Sequence, residues 1–150
     1  MANTSAICSS FKQELLQGKH NFASSGGDTF KIALYDSDAT LGASTTDYST
    51  SEEITITSGT AYTAGGETLT RTGVGLTGTT AFTDFSDVTF SSASFTANAA
   101  LIYNTTTGTS TGTTNAVCAI AFGGDKTASN GTFKIEFPAN DATAAIIRLA

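Results

Sequence analysis

The chain has no tryptophan, one histidine, one proline and only seven basic residues among 150. Each shortage excludes something. Direct nucleic-acid binding needs clustered Lys and Arg, and here they are scattered through a chain of net charge −6. The same acidity disfavours anionic membranes, and no window reaches the roughly 18 apolar residues of a spanning helix. Met1 to Ser10 has neither a basic start nor a long apolar run, so no secretory leader is expected. His20 stands alone, which removes most nucleophile–histidine schemes. Its place between the end of a helix and Asn21 reads as a solvated or capping loop residue. Without Trp, a glycosidase carboxylate pair would lack its usual stacking surface. The expectation is a protein that is not an enzyme and carries no cofactor and no metal.

Cysteine is nearly absent as well. Cys8 and Cys118 read as two buried thiols, with a disulfide or an intermolecular bridge as the alternatives. Cys118 lies in an apolar stretch and reads as core, not as a reactive thiolate.

Threonine takes the place of these residues. It occurs 29 times, and 15 glycines punctuate the chain. Thr is β-branched, so it fits a pleated surface while keeping a hydroxyl for water. The Thr4–Gly18 stretch is the exception, predicted as a helix of about 12 residues. Thr4 or Ser5 can cap it, and Ile7, Phe11, Leu15 and Leu16 form its apolar stripe. Lys12, Gln13 and Glu14 face away, and Gly18 is the natural stop. Such a helix is unstable alone, so the stripe docks on its own sheet or bridges to a neighbour. Ile7, Phe11, Leu15 and Leu16 are therefore the candidate interaction residues.

From Thr29 the period changes to two. Thr29 to Asp36 reads as a half-buried strand, with Phe30, Ile32 and Leu34 inward. Glu53 to Thr57, Thr68 to Thr72, Thr80 to Asp84 and Asp87 to Ser91 follow as short strands. Ala99 to Tyr103 is a candidate central strand buried on both faces, and Thr105 to Thr114 an exposed loop. Asn115 to Phe122 is separated by a Gly123-Gly124-Asp125 turn from Gly131 to Phe137, where Phe133, Ile135 and Phe137 point in. Ala144 to Leu149 comes last. Around eight strands without intervening helices predict an all-β fold. Its expected form is an antiparallel β-sandwich, jelly-roll or Ig-like, or a small barrel, with one N-terminal amphipathic helix. Residues 1–22 form the helix or arm and 23–150 the β domain.

Motifs with chemistry are few. Asp36-Ser37-Asp38 echoes the start of a calcium loop, but Leu41 stands where its glycine belongs and Asp47 where its glutamate belongs. With Glu52 and Glu53, these acids read as solvated turn residues. Asp84 and Asp87 read the same way. The run Gly73-Val74-Gly75-Leu76-Thr77-Gly78 approaches a phosphate-binding loop, yet opens no apolar helix and reads as a bend. Tyr35, Tyr48, Tyr62 and Tyr103 are too dispersed to make a sugar platform. The Asn104-Thr105-Thr106 sequon is incidental in a protein that is not secreted.

Several stretches taken together carry a likeness: Ser10 through Leu16 and Gly18 to Asn21-Phe22, Thr29 to Tyr35, Ala39-Thr40-Leu41-Gly42, Gly65-Gly66, Ala99 to Asn104, Phe137-Pro138 and Ile146-Ile147-Arg148. The chain resembles small virion proteins of tailed bacteriophages, notably marine ones. That resemblance implies a structural role in the virion, assembled in the host cytoplasm. A capsid decoration (cement) protein on the major capsid protein is the leading form, self-associating as a homo-oligomer, with a trimer at a shell threefold as the expected arrangement. A tail-tube, neck or connector component is the alternative, and a host-surface or carbohydrate-binding module the second.

Overall fold

Ala99 to Tyr103 lies at the centre of the molecule, every residue buried. A computed structural model describes residues 2–55, 61–106 and 114–150. Among them are eight strands in two antiparallel sheets and one short helix, an all-β sandwich-like fold. Strands β1 (Ala6–Ile7), β2 (Phe30–Tyr35), β3 (Glu67–Thr68), β6 (Val88–Asn104) and β7 (Ala116–Ile135) form the larger sheet, in the order β1-β7-β6-β2-β3. Strands β4 (Arg71–Thr77), β5 (Thr80–Phe85) and β8 (Ile147–Leu149) form the smaller one, in the order β4-β5-β8. Helix α1 spans Ser9–Leu16, and no helix among the described residues is long and apolar enough to cross a membrane.

The N-terminal segment departs from the periodicity reading. The helix is shorter than Thr4–Gly18, because Ala6 and Ile7 are taken into the sheet opposite Ala119 and Cys118. Cys8 holds the N-cap position without a side-chain cap, so neither Thr4 nor Ser5 caps the helix. Asn3 bonds Asp36, Asn98 and Leu41, while Thr4 donates its N–H to Leu41. Ladder and loop bonds outweigh local helix propensity here. The C-terminal end is as expected: Gly18 (φ 69°) donates to Leu15 and Lys19 to Glu14, closing a Schellman motif. Cys8, Phe11 and Phe22, from the segment read as an arm, lie in one buried cluster with Phe30, Phe85 and Ile147. Both thiols are free and buried; burial pushes Cys8 up to about 11 and Cys118 higher still.

Two of the predicted breaks are absent. Val88–Asn104 is one strand, and so is Ala116–Ile135. Gly123-Gly124-Asp125 does not turn the chain. Between the pairs Ala97–Lys126 and Ala99–Ala121, Asn98 alone faces Phe122–Asp125, a wide bulge in which Gly123 (φ 74°) and Gly124 (φ 133°) take conformations open to glycine. Asn98 Nδ2 donates to Asp125 Oδ1 across it, 2.9 Å away. The bulge bends the β6–β7 ribbon so that Phe90, Phe95 and Phe133 meet Tyr62 or one another at ring separations of 5.0–6.3 Å. Phe133, Ile135 and Phe137 point inward and Thr132, Lys134 and Glu136 outward, as their alternation predicts.

Three further readings change. β2 is buried along nearly its whole length, with Phe22 and Phe85 packed on Phe30 and Tyr62 bonded to the Leu34 N–H; only Lys31 is partly exposed. Gly73 to Thr77 is not a bend but most of β4, joined to β5 by the two-residue turn Gly78-Thr79. Of the Glu53–Thr57 strand, Glu53 makes only an isolated bridge to Tyr35, while Ile56 and Thr57 lie outside the described residues. Positions 107–113 of the Thr105–Thr114 loop are likewise outside them.

Candidate functional site

Helix α1 ends beside the smaller sheet, and the junction leaves an open groove of about 400 Å³. Its walls come from Leu15 and Gly18, from His20 and Phe22 just beyond, and from the β4-β5-β8 face. Register explains why that face is apolar. Val74, Thr83 and Ile147 form one row across the three strands, and Leu76, Ala81 and Leu149 the next. Thr83 and Ile147 are buried, whereas Val74, Leu76 and Leu149 are largely exposed. The four stripe residues are thereby divided. Phe11 is buried in the core, Ile7 and Leu15 are half-buried, and Leu16, next in sequence to the groove-lining Leu15, is 92% exposed. Among the described residues, no Asp, Glu, Lys or Arg lines the groove.

His20 is not solvated. It is buried, its ring 4.9 Å from that of Phe11. Nε2 meets Glu14 Oε2 at 2.7 Å, and Nδ1 meets Asn104 Nδ2 at 3.1 Å. Asn104 Oδ1 accepts from the Thr106 N–H, which leaves Nδ2 as the donor to both His20 Nδ1 and Asp28 Oδ2. His20 therefore accepts at Nδ1 and donates from Nε2. Both ring nitrogens are consumed inside the protein and neither faces the groove. Glu14, expected to face away, also accepts from Asn115 Nδ2. Arg71 clamps the other end of the network by donating to the carbonyls of Ala23 and Asp28. The network ties α1 to β6 and to the 21–28 loop. It also buries the Asn104 side chain, closing the sequon in the folded chain.

The four tyrosines are not dispersed. Tyr48 and Tyr62 donate to Glu53 at 2.7 and 2.5 Å, and the Gly65 N–H donates to the same carboxylate at 2.7 Å. The Tyr103 hydroxyl donates to the Gly65 carbonyl, and the Tyr35 hydroxyl to Ser49. Tyr48 and Tyr103 stack with centroids 4.5 Å apart. Burial pushes Tyr103 up to about 12 and raises the other three further, so all four hydroxyls stay protonated donors. The rings are spent on a buried pillar around Glu53, not on an outward platform. An acid placed directly before Ile54 in an alternating stretch was the available hint that Glu53 turns inward.

The loop acids separate. Asp36, Asp38 and Glu52 place carboxylate oxygens within 4.8 Å of one another at a solvated corner, where Asp36 Oδ1 accepts the Asp38 N–H. Asp47 instead accepts from Thr114, and Glu53 is inside. The Asp36–Asp38 bond is an Asx turn.

Asp84 and Asp87 also part company. Asp87 is exposed and takes Lys134 at 2.9 Å, which with the Phe137 N–H holds its carboxyl below the ordinary range. Asp84 is fully buried beneath β8, accepting the N–H groups of Phe85 and Ile146. Burial holds its carboxyl above the ordinary 3.8 despite those bonds. The folded chain thus binds this proton more tightly than the unfolded one. Asp84 favours folding at low pH, and that contribution is lost as pH rises through the raised value. Denaturant melts should show the wild type losing ground to Asp84→Asn as pH rises above 3.8. A pH-independent difference between the two would contradict this account.

Comparison with known proteins finds no match: no protein-family model, no curated protein and no solved structure resembles the chain significantly.

Proposed function

We propose that this chain is a structural protein of a tailed-phage particle, a capsid decoration protein that binds the outer shell and stabilises it. The observation that carries the reading is the exposed apolar side chains, Val74 and Leu149 lining the groove and Leu16 beside its Leu15 wall, on a chain of net charge −6. Exposed apolar side chains gathered at a groove suit a docking site, and the resemblance to virion proteins points to major capsid protein or its neighbours as the partner class. Leu15 and Leu16 face that partner, while Ile7 and Phe11 anchor the helix that presents them. Copies arranged around a shell threefold would each contribute one groove.

Particles assembled without the protein should still close their shells but lose tolerance to heat and osmotic shock. Adding the purified chain should restore it, and the Leu16→Asp variant, altered only at an exposed position, should not. Absence of shell-bound copies would overturn the reading. A tail-tube, neck or connector role is the second reading, and the long β6–β7 ribbon favours it: strands of 17 and 20 residues pair with one another across several bulges and make one extended hairpin-like unit. Deletion would then leave filled heads without infectivity. Copy number separates a connector ring, at about six or twelve per particle, from a shell or tube, at hundreds, and the deletion phenotype separates shell from tube.

A further inference from the structure

Strand β4 is the outer strand of the smaller sheet, and its far side is open. Its backbone groups divide by register. The two-residue Gly78-Thr79 turn makes Thr77–Thr80 a hydrogen-bonded pair, so the next such pair toward the strand start is Gly75–Phe82. Val74 and Leu76 fall on the alternate positions and aim their N–H and C=O groups away from β5. Among the described residues, nothing receives those four groups. Their side chains, 65% and 71% exposed, stand on the same sheet face.

Open edges in monomeric proteins are guarded by charge, proline or a bulge. From Thr72 to Thr83 there is no charged residue and no proline. The only irregularity is the bulge between Arg71 and Val74, which ends where the free groups begin.

We propose that β4 is a self-pairing edge: two copies of this chain join antiparallel through Val74–Leu76, about a twofold axis at Gly75. In that register Val74 of one copy faces Leu76 of the other, and the reverse pair repeats it. All four outward groups of each strand are then satisfied by the same four groups of its partner. An axis shifted by one position in the pairing sum would set outward groups against inward ones. A shift by two would run the pairing into the Gly78 turn or the Gly73 bulge. The four apolar side chains gather on one face, and the two three-stranded sheets become one of six strands. On the opposite face a Cβ at Gly75 would run into the Phe82 ring, so that ring lies over the strand where the axis passes. The uncharged edge suits a like partner. Two chains of −6 repel through most of their surface, and this stretch carries no acid to add to the repulsion. A heterologous pairing of β4 with the three-residue β8 edge would leave most of β4 unpaired.

Sedimentation velocity of the full chain, from about 1 to 200 µM, tests the proposal. The expected result is a reversible shift from 15.3 kDa to twice that mass. Leu76→Glu and Val74→Lys, each at an exposed position, should weaken association by about tenfold or more. The double variant Val74→Lys/Leu76→Glu should recover it, because the introduced lysine faces the introduced glutamate across the axis. Circular dichroism melts confirm that each variant is folded. A chain that stays monomeric throughout overturns the proposal. So does a trimer or open polymer, a dimer indifferent to both single substitutions, or a double variant no better than either single one. The proposal is independent of the virion reading, since a dimer in dilute solution neither needs nor implies a shell.

Discussion

Replacing Glu53 by alanine is expected to lower the unfolding free energy by about 3–5 kcal/mol, the scale of losing one member of a buried network. The carboxylate is the common acceptor for Tyr48, Tyr62 and the Gly65 N–H. Each orphaned buried donor costs roughly 1–3 kcal/mol. The Tyr62 hydroxyl suffers most, being buried beneath Leu34, whose N–H it accepts. Glu53→Gln should cost only about 1–2 kcal/mol, since one amide oxygen still serves two donors and the amide NH₂ can give a bond to Tyr48. Tyr48→Phe, on the half-buried rim, should cost about 1 kcal/mol or less. Urea denaturation of the three variants checks the ranking. An alanine variant within about 1 kcal/mol of wild type would mean that water replaces the carboxylate easily.

Gly66→Ala should be about as damaging, at roughly 3–5 kcal/mol, and Gly78→Ala far milder, at about 1 kcal/mol. Both glycines have positive φ, 76° and 60°. They differ in surroundings. A Cβ at Gly66 would overlap the Ile32 carbonyl and press on the Ala33 Cα, backbone atoms of β2 that cannot rotate away. At Gly78 a Cβ meets nothing within 4 Å, so only the conformational penalty remains. Gly66 also holds the turn that carries Gly65 to Glu53, so the two costs reinforce one another. Thermal melts of the pair are the check. Equal losses at both positions would show that the close approach of the turn to β2 is wrong.

The larger sheet was legible where its pattern is local. Phe30, Ile32 and Leu34 announced β2, Phe133 and Ile135 the end of β7, and the apolar run from Ala99 the central strand, because period-two alternation or full burial is written into neighbouring residues. What escaped depends on partners far along the chain. Ala6 and Ile7 look helical until Ala119 and Cys118 take them into a ladder. Gly123-Gly124 looks like a turn until Asn98 is placed opposite. The glycines of β4 hid a strand, since a residue without a side chain gives no alternation to read. The candidate site was half visible. Leu15 was named from its stripe, but Val74 and Leu149 reach the same groove only through the β4-β5-β8 register. His20 and Glu53 were misread for one reason: a lone polar residue looks solvated until its donors and acceptors arrive from 5 to 84 positions away.

The β1–β7 ladder also sets a timetable for biosynthesis. Ala6 leaves the ribosome 113 positions ahead of Ala119, an interval of roughly 6–20 s at ordinary elongation rates. Through that time Cys8 and Phe11, later among the best-hidden side chains, have no sheet to lie against. The nascent chain must carry this apolar end unprotected until its last third emerges, and the high contact order of the ladder makes closure slow even then. That interval is the point at which the chain is most exposed to mispairing, and a net charge of −6 opposes the approach of one copy to another.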